Sequence, residues 1–345
     1  MIFDPILDIF RGKAITIPPL DGAFRANTAL DDAAVFAALP GVDNLCVAGG
    51  TLYATSGATL YTVADGAPQE VETFDAAITA LAAAPDSTLA VALDDGTLME
   101  EGKPADLPKG VDCITALAYG SNGSLWLANG SDRHKASDWA ADLMEKNAGG
   151  SVWLRHAGES FRRIAGGLGW PYGVLPQGDG DAAIVSESWK HRLIRVGLEG
   201  VDPVLDNLPG YPARLSPADG GGAWLAIFAP RNRLIELVLQ ETHYRYDMIA
   251  TVPRDYWIAP ALSSNRSFLE PLQCGGIRTM GVHKAWSPTR SYGLVAKLDD
   301  DIAPVFSLHS RANGNRHGTT SAVEFDGRLV VASKGGDSIL APEVM

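Results

Sequence analysis

A Leu-led strand pattern returns at Leu52-Tyr53, Leu89-Ala90 and Leu125-Trp126, about 36 residues apart each time. Before each pair comes an apolar run and a tight turn: Gly49-Gly50, then Pro85-Asp86-Ser87, then Ser121-Asn122-Gly123. A supersecondary unit of this length, repeated, cannot bury its apolar face alone and must stack on copies of itself. Four short antiparallel strands joined by turns fill such a unit, which is one blade of a β-propeller.

Residues 171–205 spell out one unit in full. Gly173 to Pro176 is a first strand, followed by a Gly/Asp turn over Gly178, Asp179, Gly180 and Asp181. Ala182 to Glu187 is a second strand, and Ser188 to Lys190 connects it onward. Arg192 to Val196 alternates charged and apolar residues as a half-buried strand does. Leu198-Glu199-Gly200 turns the chain into Val201 to Leu205.

The same stretch resembles the fourth blade of strictosidine synthase-like proteins, relatives of the gluconolactonases and paraoxonases. The resemblance rests on the Gly173-Val174 strand, the Pro176-to-Asp181 turn, the strand ending in Ser186-Glu187, and His191-Arg192-Leu193 with Arg195. Leu208-Pro209-Gly210-Tyr211-Pro212 follows where that family has the same words. It extends over most of the chain from Pro5 to Ala341. What it implies is an all-β, six-bladed β-propeller with short helical insertions forming a cap. One propeller scaffold hosts unrelated chemistries, so the fold carries the resemblance further than the activity does.

Length alone allows two domains; a closed ring makes residues 1–345 one. The expected blades start at Val42, Ile78, Cys113, Gly173, Tyr211 and Thr320. A strand within Lys13 to Leu39 closes the last blade, and Lys13–Pro18 and Asp32–Ala37 are the two candidates. Ser137 to Lys146 reads as a short helix with Ser137 at its N-cap and Gly149-Gly150 at its end. Residues 229–291 interrupt the fifth blade as a cap-like insertion. Arg233 to Gln240 is helical there, and Pro253, Pro260, Pro271 and Pro288 prevent long regular elements beyond it. Ile6, Leu7, Ile9 and Phe10 form a short amphipathic turn.

A net charge of −13 argues against a nucleic-acid backbone as partner. No stretch approaches the roughly 20 apolar residues of a membrane span. The three cysteines, Cys46, Cys113 and Cys274, have no metal-ligand spacing; so few, and an odd number, fit reduced thiols and a cytoplasmic protein. The expected partner is a small molecule, and oligomeric state stays open.

The first strand of each blade lines the central channel, where its entry end forms the usual ligand site. Asp43, Asn44, Thr115, Tyr172, Ala213, Arg214 and Thr320 occupy these positions. The family's calcium-dependent members require hard oxygen ligands here. By resemblance, Asp43 keeps one acid, whereas Tyr172 and Ala213-Arg214 stand where the family has Asn and Asp-Asn. No cofactor is therefore expected, with Ca²⁺ the only ion the resemblance would supply. The acid that strictosidine synthases carry before the last inner strand is absent from Gly318 to Ser321.

The polar set that remains gives Asp43, Tyr172 and His317 as catalytic candidates and Arg214, Thr115, Thr320, Trp189 and Tyr211 as substrate contacts. Arg214 suits a carboxylate or oxyanion, Asp43 suits a base or an internal ion pair with Arg214, and Tyr172 a hydrogen-bond donor. His317 lies in a polar loop entering the last blade. His134, His191 and His283 are further histidines of interest, His191 as a structural link between strands. Trp189, Trp170, Tyr211 and Trp257 form a candidate apolar wall. Three functions are compatible with this set: a metal-independent lactone or ester hydrolase, a carbon–nitrogen or carbon–carbon lyase or synthase, and a non-catalytic small-molecule binder.

Overall fold

A computed structural model describes residues 16–178, 180–264, 270–271, 278–279 and 282–344, and among these the chain forms six four-stranded antiparallel sheets and a two-stranded one pairing Arg278–Thr279 with Val282–His283. Blade one runs Val42–Ala48, Thr51–Ser56, Thr59–Ala64 and Ala67–Thr73, each strand pairing with the next. Blade two spans Ile78–Ala83 to Lys103–Pro104, blade three Ile114–Tyr119 to Arg162–Leu168, and blade four Pro171–Gln177 to Gly200–Leu205. Blade five consists of Gly210–Pro217, Ala223–Pro230, Gly293–Leu298 and Pro304–Ser310.

Blade six is assembled from both ends of the chain. Thr319–Phe325, Arg328–Ser333 and Ser338–Ala341 are completed by Ala34–Ala38, which pairs antiparallel with Ser338–Ala341. This strand does the closing expected of the N-terminal region. The other candidate does not: Thr16 to Pro18 is not strand, and Lys13 to Ile15 lies outside the described residues, as does the turn at Ile6 to Phe10. First strands of successive blades pack side by side all the way round, so the ring is closed at six.

Burial falls from the axis outward in five of the six blades; the outer strand of blade five is instead buried over Ser307 to Ser310. In blade one, Val42 to Leu45 is buried, whereas Ala67–Thr73 is nearly all exposed. The core lies between blades rather than within one. Trp126 and Val152 of blade three meet Val174, Val185 and Ile194 of blade four in one cluster. Leu52 and Val63 of blade one meet Val330 and Ile339 of blade six in another.

Helix α1, Trp139–Glu145, leaves blade three after a 3-10 turn at Ala136–Asp138. Ser137 is not its cap; the Ser137 N–H and hydroxyl bond Asp94 Oδ1 and Oδ2 at 3.0 and 2.7 Å. The helix also stops before the expected glycines, at Lys146 in the left-handed region (φ 54°), and Gly150 already begins a strand. In the fifth-blade excursion, helix α2 (Arg233–Gln240) is capped by Asn232, whose side chain accepts from Leu234 N–H. Helix α3 (Thr242–Thr251), not foreseen, follows before Pro253. Val238, Met248 and Trp257 share one apolar cluster with Leu143, Met144 and Phe228, so the excursion rests on α1 and blade five.

Candidate functional site

A bulge recurs in the first strand of every blade, and it fixes what reaches the axis. Ile78 pairs with Leu93 and Ala80 with Ala92, leaving Thr79 as an extra residue. The same one-residue surplus sits at Thr115, Tyr172 and Thr320, within Asp43-Asn44, and within Ala213-Arg214. A bulged residue drops out of the ladder and its side chain is re-aimed. Of these, Asp43, Thr79, Thr115, Tyr172 and Arg214 line one pocket of about 310 Å³ at the channel.

The floor of this pocket is an ion cluster. Arg214 Nη1 donates to Asp43 Oδ1 at 2.7 Å, and Lys334 Nζ donates to Asp43 Oδ2 at 2.6 Å. Arg214 also donates to the carbonyls of Thr79 (2.7 Å) and Thr320 (3.3 Å), and its guanidinium lies 4.9 Å from the Tyr172 ring centre. Gly173 permits this arrangement: a Cβ there would fall 2.4 Å from the Ala213 carbonyl oxygen and 2.9 Å from Arg214 Cα. Burial would push the Asp43 carboxyl up, but Arg214 and Lys334 hold it well below the usual carboxylate range. Burial opposes the charge on Lys334, yet Asp43 raises it above its ordinary value, so it remains a cation. Tyr172 is raised by burial and by Asp43. One carboxylate between two cations leaves the floor with a charge of about +1.

The walls are aromatic. Trp139 and Tyr172 stand edge-on to Phe228, with ring centres 5.4 and 5.8 Å apart. Trp170, left-handed at φ 56°, stacks on Trp189 at 5.2 Å. Asp94 also lines the pocket; its carboxylate accepts from Ser137 and forms no salt bridge among the described residues.

The other expected site residues have other surroundings. Thr115 lines the pocket, but its hydroxyl donates to the Pro171 carbonyl at 2.5 Å. Thr320 bonds the Asp43 carbonyl oxygen and is buried behind the floor. Trp189 stands behind Trp170, with its indole N–H on Asp142 at 2.7 Å. Tyr211 is buried against His191 and Phe228, outside the pocket lining. His317, expected as a catalytic candidate, is buried and absent from this pocket's lining, with Nδ1 2.8 Å from Ser291 Oγ and Nε2 2.8 Å from the Arg311 carbonyl oxygen. His134 pairs with Glu145 at 2.9 Å. Cys46 and Cys113 are free thiols, both pushed up to about 12 by burial, and hence poor nucleophiles. Cys274 and Asp179 lie outside the described residues, as does the side chain of His283.

Sequence reasoning missed Lys334, Asp94, Thr79 and Phe228. Asp94 and Lys334 share a signal that was present: each is the first residue after a second strand, Leu89–Leu93 and Arg328–Ser333. Second strands run antiparallel to first strands, so they end where first strands begin, at the pocket.

A calcium ion does not fit this donor set. Both Asp43 oxygens are engaged by cations, and Arg214 and Lys334 bring like charge to where an ion would sit. Among the described residues no group of three His, Cys, Asp or Glu side chains is arranged to hold a metal. Among them, too, no helix is long and apolar enough to cross a membrane.

No protein-family model matches the chain. Over 114 residues it is 28% identical to the adipocyte plasma membrane-associated protein of Danio rerio, a match covering 31% of this chain and 27% of that protein. Its fold is similar to that of regucalcin from Agrobacterium tumefaciens, described as a calcium-binding protein (TM-score 0.57, 13% identity, 90% of this chain and 93% of the other). It is also similar to a gluconolactonase from Xanthomonas campestris (TM-score 0.55, 12% identity, 90% and 88%). At such identities the likeness shows the fold alone.

Proposed function

We propose that the axial pocket is the site of a metal-independent hydrolase acting on small esters or lactones, on a propeller of the strictosidine synthase-like group. The observation carrying this reading is the Arg214–Asp43–Lys334 cluster, which sets fixed positive charge at the closed end of an apolar pocket. Preoriented positive charge in a low-dielectric site is what a developing oxyanion needs. It supplies through side chains the polarisation that a cation gives elsewhere.

In this mechanism the substrate carbonyl oxygen approaches Lys334 Nζ and the Arg214 guanidinium. Asp94 takes a proton from water, and the water oxygen adds to the acyl carbon. The oxyanion collapses, the acyl C–O bond breaks, and the leaving alkoxide takes the proton from Asp94. The product acid then ionises. Asp43 is a positioning residue: its carboxylate holds both cations in register and keeps Lys334 charged. Tyr172 orients Arg214. The excursion over 229–291 acts as a cap, since Leu262 lines the pocket. The alternative carbon–nitrogen chemistry would need a neutral amine, and Asp43 disfavours that state of Lys334.

A panel of lactones and aryl esters assayed with excess chelator tests this reading. Turnover should survive chelation and fall about 10²- to 10³-fold in Lys334→Ala. Turnover that chelation abolishes sinks the metal-independent mechanism. A second reading, a non-catalytic binder, is favoured by the commitment of both Asp43 oxygens to ion pairs. Ligand-induced thermal stabilisation with no turnover across the panel would select it.

A further inference from the structure

The pocket's charge and its walls call for different parts of one molecule. The floor presents Lys334, whose side chain is 34% exposed, beside Arg214, which at 12% is already committed to Asp43 and two carbonyls. Lys334 therefore offers the accessible cation, with an ammonium that carries three donors. Above it the surfaces are Trp139, Trp170, Tyr172 and Phe228, with Ile78 and Leu262 completing an apolar sleeve. A polyol would need a partner for each hydroxyl it loses to desolvation. Few hydroxyls on this lining can supply one: Thr115 is spent on Pro171 and Ser137 on Asp94, and Thr79 Oγ1 is shielded from solvent, which leaves the Tyr172 phenol. Asp94 adds one negative charge on the wall, which disfavours a second acid group on the ligand. A volume of about 310 Å³ is that of roughly ten water molecules, enough for one or two rings and a short acid arm.

We infer that the pocket recognises a flat, apolar monocarboxylate, one or two aromatic rings bearing a single acid group, with the carboxylate on Lys334 and the rings between the aromatic walls. This rests on taking the same pocket as the functional site, and it makes the ester or lactone turned over one that releases an aryl acid rather than a sugar acid. Trp170 is already stacked on Trp189, so little side-chain ordering cost falls on that wall when a ligand binds.

Tryptophan fluorescence and calorimetric titrations of the full chain with phenylacetate, 2-naphthylacetate, phenylalanine, 2-phenylethylamine and gluconate test it. The two aryl acetates should bind at least about tenfold tighter than gluconate or the amine, and tighter than the zwitterion. Lys334→Met should weaken the aryl acetates roughly ten- to hundredfold, and Lys334→Arg should retain most of the affinity. Gluconate binding as well as the aryl acids, a preference for the amine or the zwitterion, or no binding by any acid overturns the inference. The wild-type comparison carries the test even where Lys334→Met does not fold. None of these acids can be hydrolysed, so aryl-acid binding without ester turnover supports the inference while removing the hydrolase. Ester turnover without aryl-acid binding does the reverse.

Discussion

Single side chains at the axis carry costs as well as functions. Thr79 is one: its carbonyl holds Arg214, but its Oγ1 is shielded from solvent and has no hydrogen-bond partner among the described residues. A buried hydroxyl without a partner is destabilising, and valine has nearly its shape. Thr79→Val should therefore raise stability by up to about 1 kcal/mol, seen as a higher urea midpoint with unchanged slope. A loss of stability would mean that the hydroxyl is in fact bonded. His309 is a second case. It is buried with Nδ1 3.1 Å from Tyr292 Oη and Nε2 2.7 Å from Ser307 Oγ, and burial together with nearby Arg311 lowers its pKa from 6.5 to about 4. The unfolded chain thus binds a proton between about pH 6.5 and 4 that the folded chain refuses, so stability falls as pH falls through that window. Comparing wild type with His309→Gln by urea unfolding from pH 7 to 4 should isolate a loss on the order of 3 kcal/mol in wild type. Equal pH dependence in both proteins would remove His309 as the cause. At this scale the sequence was half legible. Asp43, Thr115 and Tyr172 were readable because each is the second residue of a blade's first strand, and Arg214 because it lies within the first strand of blade five, just after Tyr211-Pro212. Lys334 and Asp94 were not, because Lys334-Gly335-Gly336 and Asp94-Asp95-Gly96 look like ordinary turns until the ring brings them beside Asp43 and Ser137. His317 misled for the converse reason: a polar loop sequence says nothing of two hydrogen bonds that bury it.

Elements were legible where period and punctuation agreed. The strands of blades four, five and six fall where alternation and Gly/Asp turns put them. Helix α2 was visible through Leu234, Leu237 and Val238, but α3 was not, because THYRYDMIAT lacks an apolar stripe and buries only Arg245 and Met248. That helix is held by its neighbours rather than by its own pattern, which makes the start of α2 a control point. Asn232 Oδ1 accepts from Leu234 N–H at 2.9 Å while its Nδ2 donates to the Thr289 carbonyl at 3.1 Å, tying both ends of the excursion together. Asn232→Ala should cost about 1–2 kcal/mol. The loss should be local: amide exchange should quicken across Arg233–Thr251 while the strands of blades one and two keep their protection. Uniform acceleration through every blade would contradict the excursion being a separable unit.

For the whole molecule, the decisive contact is between chain ends. Blade six reaches four strands, and its Ser338–Ala341 edge is covered, only because Ala34–Ala38 lies against it, with Ala37 opposite Ile339. Ala37 and Leu39 are buried with Ile339 and Val330, and Asp337 adds two bonds, its carbonyl to Leu39 N–H and its carboxylate to Gly41 N–H. The contact closes a loop of almost the whole chain, an entropy cost that grows only slowly with length. A chain lacking residues 1–38 should therefore expose the Ser338–Ala341 edge, melt lower and associate, since an unpaired edge templates pairing with other chains. The strand has to be beside that edge, not ahead of blade one in sequence. A permuted chain that begins at Val42 and carries residues 16–41 after Glu343 through a flexible linker should regain a monomeric, cooperative melt within a few degrees of the parent. If the permuted chain melts as low as the truncated one, the seam is held by the order of the sequence and not by the pairing, and the closure argument fails.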